Sequence, residues 1–66
     1  MTIGQVIRNL RKEFGLSQTK LAQKLNLSQD TISLWELDKA LPDVLSVVSM
    51  SKIFNVSTDY ILCVEK

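Results

Sequence analysis

The stretch that decides the fold runs from Gln18 to Trp35, QTKLAQKLNLSQDTISLW. Its apolar positions are Leu21, Leu25, Leu27, Ile32 and Trp35, with the small Ala22 among them. This spacing predicts two helices of about eight residues joined by a turn of about three. Ala22 lets the helix axes approach closely, and Asn26 occupies the turn, where a residue tolerant of positive φ is needed. Leu27 is placed to plug the angle between the helices. Ser17 and Ser28 carry hydroxyls suited to capping the two N-termini. These are the constraints of a helix-turn-helix, which leaves the outer face of its second helix free to enter a major groove.

Working outward, Ile3, Val6, Ile7, Leu10 and Phe14 follow the spacing of one apolar helix stripe. Thr2 and Gln5 form a capping-box pattern ahead of it, and Gly15 supplies a left-handed stop. Helix 1 is therefore expected over about 3–14, with Arg11 and Lys12 near the negative end of its dipole. Leu41-Pro42 is an extended break, because proline pushes the residue before it out of the helical region. Asp43 is suited to cap a fourth helix carrying Val44, Leu45, Val48 and Ile53 inward, with Met50 a further candidate, and ending at Asn55. Ser57 caps a short fifth turn, Thr58 to Leu62. The expected fold is all-α, a compact bundle of five short helices in one domain over 1–66, with helices 2 and 3 forming the helix-turn-helix.

Composition narrows the function. The 66 residues are 45% hydrophobic and 23% charged, with two glycines and one proline, which disfavours disorder. There is no histidine and one cysteine, so neither an internal disulfide nor a zinc finger can form. Cys63 lies among apolar neighbours with no base to activate it. No enzyme, metal or cofactor is expected, and a core this small leaves no room for a small-molecule ligand. No apolar run approaches the ~18 residues that span a bilayer, and the amino end lacks a signal peptide's order, so the expected location is the cytoplasm. Net charge is +1. Six bases (Arg8, Arg11, Lys12, Lys20, Lys24, Lys39) against four acids (Glu13, Asp30, Glu36, Asp38) give the first 39 residues a mild positive excess.

The chain resembles the Cro/cI-type, lambda-repressor-like helix-turn-helix family of phage repressors and small bacterial regulators. The resemblance covers roughly residues 3–62. Its marks are Ile7-Arg8-x-x-Arg11, Gly15-Leu16-Ser17-Gln18, Leu21-Ala22, Leu27-Ser28, Thr31-Ile32-Ser33, Trp35-Glu36, Lys39, Pro42 and Val56-Ser57-x-x-Tyr60-Ile61-Leu62. It implies a bacterial or phage-encoded regulator that binds an approximately palindromic duplex as a homodimer, its third helix in the major groove. It also implies that Arg11 pairs with Glu36 as scaffolding for that helix, and that Gln18 clamps a phosphate. Two departures stand out. The family usually has glycine where this chain has Asp38, and often polar or basic residues where it has Leu34 and Leu37.

Gln29, Asp30, Ser33 and Leu34 are the candidate base readers. Glutamine can pair bidentately with adenine, aspartate can accept from cytosine N4, and leucine can touch a thymine methyl. Each has a plainer reading: solvated polar residues for Gln29 and Ser33, a charge favouring the helix dipole for Asp30, and surface cover for Leu34. Gln18, Ser28, Thr31 and Lys39 are the candidate phosphate contacts. Tyr60, Ile61, Leu62 and Val64 exceed what a short terminal turn can bury and are the candidate dimer surface, with a packed tail as the alternative. Promoter occlusion by a sequence-specific repressor is the leading function. The alternative is a helix-turn-helix-shaped protein-interaction module, suggested by Asp30, Leu34, Leu37 and the near-neutral charge.

Overall fold

Helix starts coincide with short polar residues whose oxygens meet otherwise unpaired backbone N–H groups. The computed structural model describes residues 1–64 and, among them, five helices: α1 (Ile3–Glu13), α2 (Gln18–Leu25), α3 (Gln29–Glu36), α4 (Val44–Phe54) and α5 (Thr58–Ile61). Ahead of α1 the capping box is complete, with Gln5 N donating to Thr2 Oγ1 at 3.2 Å and Thr2 N donating to Gln5 Oε1 at 2.9 Å. Ser17, Ser28 and Ser57 accept from the backbone N–H groups of Lys20, Thr31 and Tyr60. Asp43 occupies the cap position of α4. A hydrogen bond with the Ser46 side chain holds its carboxyl below the usual range. Left-handed residues close the helix ends: Gly15 at φ 68°, Asn26 at 63° and Asn55 at 53°. All three are residue types for which that conformation is least costly.

One core joins the helices. Ile7, Leu21, Ile32, Met50, Phe54 and Ile61 are fully buried, and Val6, Leu10, Ala22, Trp35 and Val47 complete the cluster. α2 packs on α3, α1 packs on α3 and α5, and α4 contacts α2 and α5. Burying each large side chain contributes about 1.5–3 kcal/mol. α3 is thus fixed by its inner side, through Ile32 and Trp35, while Gln29, Asp30 and Leu34 stay exposed.

Several expectations need correction. Helix 1 ends at Glu13, and Phe14 becomes its cap, half-exposed and edge-on to Phe54 at a ring-centroid distance of 5.2 Å. The fifth helix ends at Ile61, not Leu62. Leu27 is 38% exposed and covers the angle between the helices only in part. The turn is closed instead by backbone, with Leu27 N donating to Ala22 O at 2.9 Å around left-handed Asn26. The inward face of α4 also differs from expectation. Val44 and Leu45 are 78% and 77% exposed and Val48 is exposed, whereas Ser46, Val47, Met50 and Phe54 are buried. The segment VLSVVSMSKIF is apolar on more than one face, so its periodicity does not single out the side that packs.

Candidate nucleic-acid interface

α3 presents Gln29 and Asp30 at its N-terminal end, Thr31 and Ser33 half-buried, and Leu34 exposed one turn further on. Gln29 is anchored at this end by a neighbour from α2. Its Nε2 donates to Gln18 Oε1 at 2.6 Å, and Gln18 Nε2 in turn donates to Glu36 Oε1 at 3.1 Å. Glu36 then meets Arg11, whose Nε and Nη2 donate to the two carboxylate oxygens at 2.7 and 3.0 Å. Arg11 Nη1 donates to Leu16 O at 2.8 Å. A continuous chain of hydrogen bonds therefore runs from α1 through the last residue of α3 and the first of α2 to the first residue of α3.

The Arg11–Glu36 pair is well shielded, with 11% and 5% of the two side chains accessible. Burial opposes ionisation of Glu36, but the hydrogen bonds from Arg11 and Gln18, with the charges of Arg11 and Arg8, outweigh it. The carboxyl lies below its ordinary range. Its bond to Glu36 correspondingly raises the Arg11 pKa. Fork-to-carboxylate geometry of this kind fixes orientation as well as charge.

This arrangement leaves Gln29 chemically competent. One N–H is committed to Gln18, while its side-chain carbonyl and second N–H are the acceptor and donor that adenine N6 and N7 require. At the same helix end Ser28 Oγ and Thr31 Oγ1 lie 3.0 Å apart, a hydroxyl pair at the positive end of the α3 dipole. Lys39 follows the far end of α3 and is exposed. Arg8, quoted in the sequence as part of a family mark but given no site role, lines one surface depression with Arg11, Gln18, Ser33, Glu36 and Leu37. Its spacing of three from Arg11 on helix 1 is the signal that could have found it.

The candidate dimer surface is divided by the structure. Ile61 is fully buried and is removed from it. Leu62 lines an apolar groove with Pro42, Val44, Val47, Val48 and Thr58, whereas Tyr60 lines a different depression with Met1, Val6 and Cys63. Val64 is exposed. Successive side chains at the end of a short helix point in different directions, so the adjacent Ile61 and Leu62 do not share a face.

The helix-turn-helix family profile matches residues 7–61. The HTH-type transcriptional regulator ImmR of Bacillus subtilis is 36% identical over 62 residues, covering 94% of this chain and 49% of its own. The HTH-type transcriptional activator BcrR of Enterococcus faecalis is 35% identical over 66 residues, covering 100% of this chain and 32% of its own. This chain therefore spans half or less of the length of those two relatives. Among solved structures, the P22 c2 repressor in complex with a synthetic operator superposes with a TM-score of 0.91 at 29% identity, covering 98% of both chains.

Proposed function

Because the chain belongs to the Cro/cI-type helix-turn-helix family of DNA-binding transcription regulators, we propose that it binds a specific double-stranded operator as a homodimer, with α3 in the major groove. The observation that carries this reading is the hydrogen-bonded chain from Arg11 to Gln29, which holds an adenine-matching amide at the accessible end of α3. Asp30, Ser33 and Leu34 read neighbouring positions, Leu34 through a thymine methyl. Gln18, Ser28, Thr31 and Lys39 meet phosphates and set the register, with Arg8 beside Gln18 adding a further cation. Arg11 and Glu36 serve as scaffold. A repressor bound to its operator is the likeness that supports repression by promoter occlusion, in the cytoplasm of a bacterium.

Two copies are needed because one recognition helix reads only a few base pairs. Leu62, Val44 and Val48 line an exposed apolar groove, and Leu41 and Leu45 are exposed apolar residues next to its lining in sequence. These five side chains are uncharged, as the centre of a protein interface favours. Tyr60 and Val64 lie outside that groove's lining and are secondary.

Leu34 and Leu37, exposed on and just beyond α3, favour the second reading, a protein-interaction module. Fluorescence anisotropy with a random-sequence duplex at two salt concentrations separates the two. A DNA binder shows affinity that falls steeply with salt, through release of counterions from neutralised phosphates. Absence of affinity for any duplex at low salt refutes the DNA reading and leaves the interaction module.

A further inference from the structure

Asp38 stands just beyond α3 in the left-handed region, at φ 58°. Its backbone closes the helix, with Asp38 N donating to Trp35 O at 3.0 Å and Lys39 N to Leu34 O at 2.9 Å. Glycine would serve that purpose with less strain. The carboxylate, however, is fully engaged across the fold. Oδ1 accepts from Gly4 N at 3.0 Å and Oδ2 from Thr2 Oγ1 at 2.7 Å. Gly4 is the second residue of α1, so its N–H has no partner within the helix. A residue 34 positions away supplies one, and its negative charge sits at the positive end of the α1 dipole.

Gly4 itself has no room for a side chain. A Cβ there would run into Trp35 O, lie 2.7 Å from Asp38 Oδ1 and 2.9 Å from Glu36 O. The bare backbone at the start of α1 therefore abuts the carbonyl end of α3, and Asp38 fastens that approach. Arg11 grips the same end of α3 through Glu36. Residues 4 and 11 are about 10 Å apart along α1 at 1.5 Å per residue. Added to the core packing of Ile32 and Trp35, one polar attachment fixes a point on this end, whereas two fix a direction.

We propose that Asp38 is a positioning residue: its carboxylate is the second clamp between α1 and α3 and sets the angle at which the recognition helix is presented. A shift of about 1–2 Å at this end, the scale of ordinary helix movements, would turn α3 by roughly 5–10° about the Arg11 attachment. α3 is about 12 Å long, so Gln29 would move by about 1–2 Å, enough to spoil a bidentate contact to a base. Only this last consequence rests on the DNA-binding reading.

The test compares Asp38→Gly and Asp38→Asn with the parent chain. Glycine relaxes the left-handed turn and removes the carboxylate. Asparagine tolerates the turn and keeps an oxygen for Gly4 N–H. Residual dipolar couplings report the α1–α3 angle, and amide hydrogen exchange reports Gly4, both without DNA. Asp38→Gly should stay folded, expose Gly4 N–H with a roughly tenfold or greater rise in exchange, and change the angle, while Asp38→Asn restores both. An unchanged angle and unchanged Gly4 exchange in Asp38→Gly overturn the clamp and leave Asp38 a turn residue. With DNA, Asp38→Gly should lose roughly five- to hundredfold in the ratio of specific to non-specific affinity, with non-specific affinity retained. A parent chain that binds no duplex defeats the functional reading, and the clamp is then judged by the two NMR measurements.

Discussion

Replacing Arg11 by methionine tests how much the fold depends on the ion pair that orients α3. The change keeps most of the aliphatic stem and removes three hydrogen bonds, two to Glu36 and one to Leu16 O. Glu36 then retains Gln18 as a side-chain donor in a site where only 5% of its side chain reaches water. Breaking one side of a buried pair costs about 3–5 kcal/mol. Solvent screening through the open depression beside Arg11 reduces this to about 2–4 kcal/mol. A 66-residue domain has roughly 3–10 kcal/mol in total, so Arg11→Met should lower the melting temperature by roughly 10–25 °C. The pH dependence has a definite sign. The folded Glu36 pKa is depressed, so its contribution is complete above the ordinary carboxyl value of about 4.3 and is lost as pH falls through the folded value. The raised Arg11 pKa keeps the guanidinium charged throughout this window. The gap between parent and variant should therefore be full at pH 7 and narrow below about pH 4. Thermal unfolding by circular dichroism at pH 7 and pH 3.5 measures both. A melting temperature within about 3 °C of the parent at pH 7 would refute the reasoning.

Two further outcomes concern the exposed apolar residues of α4 and the lysine that follows α3. Leu45→Glu places a charge on a side chain already 77% exposed, so stability should change by no more than about 0.5 kcal/mol, while sedimentation at high micromolar concentration shifts from dimer to monomer; a variant as dimeric as the parent removes this face from the interface. Lys39→Ala should weaken binding to all duplexes about equally and reduce the salt slope by about one per subunit, and a changed base preference in a duplex-variant titration would contradict its place on the sugar-phosphate rim.

What could be read in advance was what short-range rules encode. Thr2, Ser17, Ser28 and Ser57 announce helix starts because a hydroxyl three residues before an N–H has a fixed local geometry. Gly15, Asn26 and Asn55 announce stops for a comparable local reason, their tolerance of positive φ. The side of α4 that packs was not legible, because valines and leucines surround it and tertiary contacts decide which are covered. Ile61 and Leu62 are adjacent in sequence, yet one enters the core and the other the surface groove. At the site, Gln29 was legible as the first exposed residue of α3, but its tie through Gln18 to Glu36 joins positions 11 and 18 residues apart. Asp38 could be read only as a departure at a turn, since its partners Thr2 and Gly4 lie 36 and 34 positions away.

The central claim is that α3 reads bases through Gln29 while the residues around it hold phosphates. The most direct measurement is the affinity of Gln29→Ala and the parent chain for a library of single-base variants of a duplex selected by the parent, at two salt concentrations. The prediction is a loss of preference at one base pair in each half-site, worth about 1–3 kcal/mol, with preferences elsewhere and the salt slope unchanged. A Gln29→Ala profile identical to the parent's at every position would contradict it.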